Sequence, residues 1–229
     1  MFSEESVALL TDILRSEFFT ALWETVYMTF LPTVFAFIIG LPLGVLLVIG
    51  EEKGVRPLPK SVLAVLNFVI NILRSVPFLI LLIVVLPLSR LLVGTTVGTK
   101  AIIAPLTIAA FPFVARLVET SIREVDSGVV EAAQAMGASP LQIVCKVLVP
   151  EAKPALLSNF VTALITIFGY GAMAGILGGG GIGAIAINYG YYRKKYLVMY
   201  FAVILLILLV QAFQSAGNII SRRSDKRIR

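Results

Sequence analysis

Few side chains in this sequence could do chemistry, and their types limit what that chemistry is. Histidine is absent, which removes the commonest general base, metal ligand and near-neutral proton relay. The single cysteine, Cys145, has no intrachain disulfide partner and stands in no metal-ligand cluster. No GxxxxGK[ST] phosphate loop occurs. The stretch FGYGAMAGILGGGGIG, residues 168–183, imitates a dinucleotide fingerprint, but no strand–turn–helix unit of ordinary polarity surrounds it. No catalytic residue, metal or cofactor is therefore expected, and the chain reads as a non-enzyme.

What remains is a punctuated polar interval, EAAQAMGASPLQIVCKVLVP, from Glu131 to Pro150. Asp126 or Ser127 can cap a helix that Gly137 ends in the left-handed conformation. Ser139, Pro140 and Gln142 then form a fresh capping box, and Pro150 limits the second helix. Val129, Val130, Ala133, Met136 and Gly137 are expected on one apolar face, and Leu141, Val144, Cys145 and Leu148 on another. A helix–turn–helix could suggest DNA. Residues 119–153, however, hold five acids against three bases, the wrong balance for nucleic acid. A plain connection packed between two membrane spans remains an open reading of these residues.

The surrounding composition is that of a polytopic membrane protein. Of 229 residues, 59% are hydrophobic and 14% charged, with mean hydropathy +0.98. The formal charge of +6 is concentrated at the C-terminus, where Arg222, Arg223, Lys226, Arg227 and Arg229 face one acid, Asp225. That basic tail, residues 221–229, reads as a cytoplasmic anchor.

Residues 1–25 are expected to hold an interfacial helix, with Val7, Leu10, Ile13, Leu14 and Phe18 at helical spacing. Five spans are expected after it. The first, Val26 to Ile49, is uncharged, and its Gly40 and Gly44 make a small-residue contact ridge. The second, Ser61 to Leu88, should kink at Pro77 and contains Arg74. Two roles stand open for Arg74: bonding carbonyls freed at the kink, or contacting a substrate. The third runs from Leu91 to Ala115, interrupted by Lys100. The fourth, about Ala155 to Ile187, should break at the four consecutive glycines 178–181, which interrupt the Gly171, Gly175, Gly179, Gly183 ridge. The fifth is Tyr196 to Ile220. Placing the N-terminus outside and the C-terminus inside puts twelve bases in cytoplasmic segments and six outside, as the positive-inside rule favours.

Glu131-Ala132-Ala133, three residues, Gly137, nine residues and then Val147-Leu148-Val149-Pro150 resembles the EAA loop of ABC-transporter importer permeases. Valine stands at both apolar positions of the family's Ile-x-Leu-Pro ending. The resemblance implies that residues 126–150 are cytoplasmic coupling helices seated in a groove on an ATPase. Glu131, Ala132, Ala133, Gly137 and Pro150 would then belong to that interface. Trp23-Glu24-Thr25 with Met28-Thr29-Phe30, Asn71 to Phe78, and Gly169 to Met173 are similar to the methionine-import permeases of that superfamily, over almost the whole chain. The resemblance implies an all-α, type I importer permease fold in one transmembrane domain over residues 1–229. Its partners would be a second copy of the chain, two copies of a cytoplasmic ATPase and an extracytoplasmic methionine-binding protein. Tyr170 and Met173, three apart on one helix, suit a passing methionine side chain, or else ordinary helix packing. Arg74 would be a substrate-carboxylate contact. Two rivals stand beside this reading. One is an importer permease for another polar amino acid or small solute, and the other an ion-coupled secondary transporter, which should carry membrane-embedded acids or an inverted repeat.

Overall fold

A computed structural model describes the backbone of residues 4–224 and the side chains from residue 7 onward. Among these the regular structure is helical. Chain order gives α1 (Glu4–Ser16), α2 (Phe18–Ile49), α3 (Lys60–Ser75), α4 (Phe78–Val93), α5 (Thr99–Arg123), α6 (Ser127–Ala135) and α7 (Pro140–Ile143). A π turn (Val144–Leu148) leads from α7 into α8 (Val149–Glu151), followed by α9 (Lys153–Ala174), α10 (Gly181–Ile185) and α11 (Tyr196–Ser224). Helices α2, α5, α9 and α11 are each long and apolar enough to cross a membrane, and α3 with α4, bent by 107° at the break between them, add a fifth if the pair is counted as one span. Five spans were expected, and the architecture carries four, or five with the bent pair counted as one.

Several boundaries differ from expectation for local reasons. The interfacial helix ends at Ser16, because the apolar run of α2 already begins at Phe18. Pro32 and Pro42 lie inside α2 without ending it. At Pro77 the kink becomes a break: Val76 is extended (φ −76°, ψ 127°), as the residue before proline favours. Gly94, left-handed at φ 77°, ends α4, so Leu91–Val93 belong to that helix and the third span starts at Thr99. Lys100 therefore stands in the first turn of α5 and does not interrupt it. Ser221–Ser224 close α11, and the remaining tail residues, 225–229, lie outside the described residues.

By contact the chain divides into two compact units, to which the long helices contribute in parts. The first comprises Met1–Val34, Pro77–Ala109 and Leu164–Gln214. Thr25, Thr29 and Thr33, all at most 3% exposed, lie along one face of α2, and each hydroxyl donates to the carbonyl four residues back at 2.7 Å. This bonding lets polar side chains pack inside an apolar bundle. Ala21, Ile182 and Ala202 form a buried cluster beside them.

The second unit comprises Phe35–Val76, Ala110–Ala163 and Ser215–Arg229. Here the Gly40–Gly44 ridge of α2 lies against α5. A Cβ at Gly40 would come within 2.7 Å of Val114 Cγ1, and one at Gly44 within 2.7 Å of Val118 Cβ and closer still to the Ala115 carbonyl. Leu47, Ile70 and Ala115 fill the adjoining core. Gly44→Ala should consequently force α5 away from α2. The expected loss is about 1–3 kcal/mol, seen as a lowered thermal midpoint of the purified protein in detergent.

Candidate functional site

The interval after α5 folds as its punctuation dictates. Asp126 accepts from the Gly128 N–H at 2.6 Å and starts α6. Gly137, at φ 77°, ends it: its N–H donates to the Gln134 carbonyl (2.9 Å) and that of Ala138 to the Ala133 carbonyl (3.1 Å). These two bonds make a Schellman end, satisfying carbonyls the helix leaves free. Ser139 and Gln142 then bond reciprocally, with Pro140 in the first helical turn.

The second half departs from expectation. Pro150 does not end a helix. The π turn takes up an extra residue before it, the Val149 N–H reaching back to the Val144 carbonyl, and the chain runs on through α8 towards α9. The faces also differ from expectation. Ile143 (1% exposed) and Leu148 (4%) are buried, while Leu141 (73%) and Cys145 are exposed. On α6 only Ala133 (4%) of the predicted apolar face is buried, and Met136 is 82% exposed. Ala133 is thus packed within its own unit and offers a partner little. Glu131, Ala132, Gly137 and Pro150 remain exposed.

The segment therefore has two apolar sides. An inner one, Ala133, Ile143 and Leu148, fixes it to its unit. An outer one shows Val129, Met136 and Leu141 to solvent. Behind it lies an open cavity of about 390 Å³, walled by Glu51, Arg123, Glu131, Gln134 and Leu148.

The other predicted residues are placed less uniformly. Arg74, at the end of α3, is exposed and makes no side-chain hydrogen bond or ion pair among the described residues, so it does not satisfy carbonyls at the break. Tyr170 stacks flat on Phe78, with centroids 4.0 Å apart and planes 8° from parallel, so one of its faces is already taken. Met173, on the same helix, is 49% exposed.

Sequence reasoning missed three features. The glycine run is anchored by α2: Glu24 Oε2 accepts from the Gly181 N–H at 2.8 Å, and Thr25 Oγ1 from the Ile182 N–H at 2.9 Å. Glu24 and Thr25 were noticed only as part of a resemblance. An open cavity of about 570 Å³ adjoins this anchor, lined among others by Glu17, Glu24, Tyr189 and Arg193. There the Tyr189 hydroxyl donates to Glu17 (3.0 Å), which holds the phenol above its ordinary pKa, and Arg193 lies 4.6 Å over the Tyr189 ring. Finally, α5 carries Arg116 and Glu119 inside a span, besides Arg74. Their spacing of three, with Arg123 four further on, was the available signal. Neither Glu24 nor Glu119 stands without a partner: one holds the Gly181 amide, the other two arginines.

Comparison with known proteins fits this geometry. Residues 40–229 match the family model of binding-protein-dependent transport system inner membrane components. The probable D-methionine transport system permease protein MetI of Vibrio cholerae is 48% identical over 223 residues, covering 96% of each chain. The D-methionine transport system permease protein MetI of Escherichia coli is 48% identical over 153 residues, 67% of this chain and 70% of that protein. A solved structure described as an inward-facing conformation of the MetNI methionine ABC transporter superposes with a TM-score of 0.89. It is 42% identical, with 98% of this chain and all of that chain covered.

Gly137→Val places a β-branched side chain at a left-handed position that has open space around it, so its cost is backbone strain of about 1–2 kcal/mol. Faster amide hydrogen exchange over residues 127–138, with unchanged exchange in α5, is the expected result.

Proposed function

Since the chain belongs to the family of binding-protein-dependent transport system inner membrane components, we propose that it forms the membrane pathway of an ATP-driven importer of methionine. The observation that carries this reading is the outer apolar side of the segment from Glu131 to Pro150. Met136 and Leu141 stand largely in solvent on a segment whose inner side is firmly packed. Exposed apolar residues on a well-packed element mark a surface built for a partner. The partner is an ATPase whose closure pushes on this segment, because the chain itself has no phosphate loop and performs no hydrolysis. Methionine is supported by relatives so named at 48% identity, and the D-enantiomer is named for those relatives.

Two copies of this chain on two ATPase subunits, fed by an extracytoplasmic methionine-binding protein, make the working assembly. A single five-span bundle is small for enclosing a pathway, and cyclic pairs are the commonest way to enclose one. The protein is a multi-pass component of the inner membrane. Its N-terminus lies outside and its C-terminus in the cytoplasm, an arrangement supported by Arg222 and Arg223 at the end of α11 and by the other bases on that side. Glu131, Ala132, Gly137 and Pro150 lie on or support the ATPase contact, whereas Ala133 anchors the segment from within. The nucleotide-driven step is a rigid-body switch between inward- and outward-facing arrangements, with no bond made or broken in this chain.

In the substrate path, the exposed Met173 is the better placed of the two helix residues, since Tyr170 is engaged by Phe78. A thioether beside a passing thioether side chain is a soft, adaptable contact. Arg74, free and exposed at the end of α3, is available to a carboxylate.

The deciding experiment is uptake of labelled methionine by vesicles holding this chain, its ATPase and its binding protein, with ATP present or absent. ATP-dependent uptake that methionine analogues alone compete is expected. Uptake indifferent to ATP would remove the importer reading in favour of an ion-coupled carrier, and competition by other amino acids alone would replace methionine as substrate. Met136→Asp with Leu141→Asp should weaken assembly with the ATPase by about 10- to 100-fold while leaving membrane insertion intact, measured by co-purification at graded concentration. Met173→Ala should alter uptake kinetics without changing that assembly.

A further inference from the structure

Helix α5 carries a continuous ladder of charged and amide groups through the second unit. At its end Arg123 donates to both carboxylate oxygens of Glu51 and, through Nη2, to Glu119 Oε1 at 2.8 Å. The other oxygen of Glu119 accepts from Arg116 Nη1 at 2.6 Å. Arg116 Nη2 then bridges two amide oxygens of α3, Asn67 Oδ1 at 2.7 Å and Asn71 Oδ1 at 2.9 Å. Asn67 and Asn71 are four residues apart and so share one face of α3. The Arg116 and Glu119 side chains are only 21% and 12% exposed, in a helix that crosses the membrane. Charges so placed are costly unless they are paired or have a task.

The two ends of the ladder differ in what they touch. Glu51 and Arg123 form part of the cavity wall that also includes Ser127, Glu131, Gln134 and Leu148 of the segment assigned to the ATPase contact. Asn67 and Asn71 belong to α3, which leads into the break at Val76–Pro77. Between the ends, α3 is held by apolar contacts of Leu63, Leu66 and Ile70 with Leu47 and Ala115. Apolar contacts are non-directional, so they hold two helices together without setting where one lies along the other. A planar guanidinium shared between two amides and a carboxylate does set it, because its donors point in fixed directions.

We propose that Arg116, through Glu119 and Arg123, is the positioning residue that keeps α3 in register with the ATPase-contacting segment, so that movement there reaches the broken span without slip. This inference rests on the importer reading. It assigns a task to partly buried charges that packing alone does not require.

The test uses vesicles containing the full complex, with the ATPase and binding protein, and reads methionine transported per ATP hydrolysed. Three variants are compared with the unmodified chain. Asn67→Ala with Asn71→Ala removes the far anchor at partly exposed positions where folding is tolerant. Arg116→Lys keeps the charge and the Glu119 pair but cannot fork. Leu66→Ala loosens the same helix contact without touching the ladder. A fall of at least about fivefold in the transport-to-hydrolysis ratio is expected for the paired alanine variant, with hydrolysis retained and a smaller fall for the lysine variant. Leu66→Ala should lower the thermal midpoint and leave the ratio intact. An unchanged ratio in the paired alanine variant, or an equal fall in Leu66→Ala, would overturn the proposal. Either result leaves the importer reading standing, since that reading fails only if the unmodified chain ignores ATP.

Discussion

Helix α10 begins inside the protein, and its first amide hydrogens have no carbonyl of their own to bond. In an apolar bundle an unpaired amide costs several kcal/mol, so some other segment must supply the acceptor. Glu24 and Thr25 of α2 supply it, at 2.8 and 2.9 Å. The glycines follow from that requirement. At Gly180 a Cβ would lie 2.7 Å from Glu24 Oε2, and at Gly181 2.7 Å from Thr25 Oγ1. The chain must approach this closely to be bonded at all, and both residues adopt positive φ in doing so. Breaking a span and repairing the break from a neighbouring helix are one device. The break at Val76–Pro77 is a different solution, in which proline simply has no amide to satisfy.

The segment from Glu131 to Pro150 shows how one short stretch can be both fixed and available. Capping bonds and a Schellman end hold its two helices without help from the interior. Burial of Ala133, Ile143 and Leu148 then orients it, and the remaining apolar residues face away. An element held only by its interior contacts would have no such outward side. One held only by its caps would transmit nothing when pushed. The charged ladder of α5 begins at the same cavity wall and runs through directional bonds to α3.

Legibility in the sequence followed the range of the interaction. Caps, the left-handed Gly137 and the break in the glycine run involve residues a few positions apart, and each was readable. Four membrane-length helices and the bent α3–α4 pair were readable because transfer into lipid depends on summed composition. The faces of the second helix were misread: Leu141 turns outward and Ile143 inward already before the π turn, whose extra residue no local composition announces. Of the two roles open to Arg74, bonding of carbonyls at the kink is not seen among the described residues, where Val76 is extended and the side chain is exposed.

By itself, then, the sequence determined that the chain is a helical membrane protein with a capped, acidic connecting segment, no histidine and a single cysteine. These are properties of residue type and short spacing, set by local hydrogen bonding and by partition into lipid. Tertiary structure decided which apolar residues of that segment turn inward, that Glu24 reaches a glycine amide 157 positions away, and that Arg116 joins α5 to α3. Directional bonds between remote residues depend on how helices are placed against one another, and placement is a property of the packed whole that no window of sequence contains.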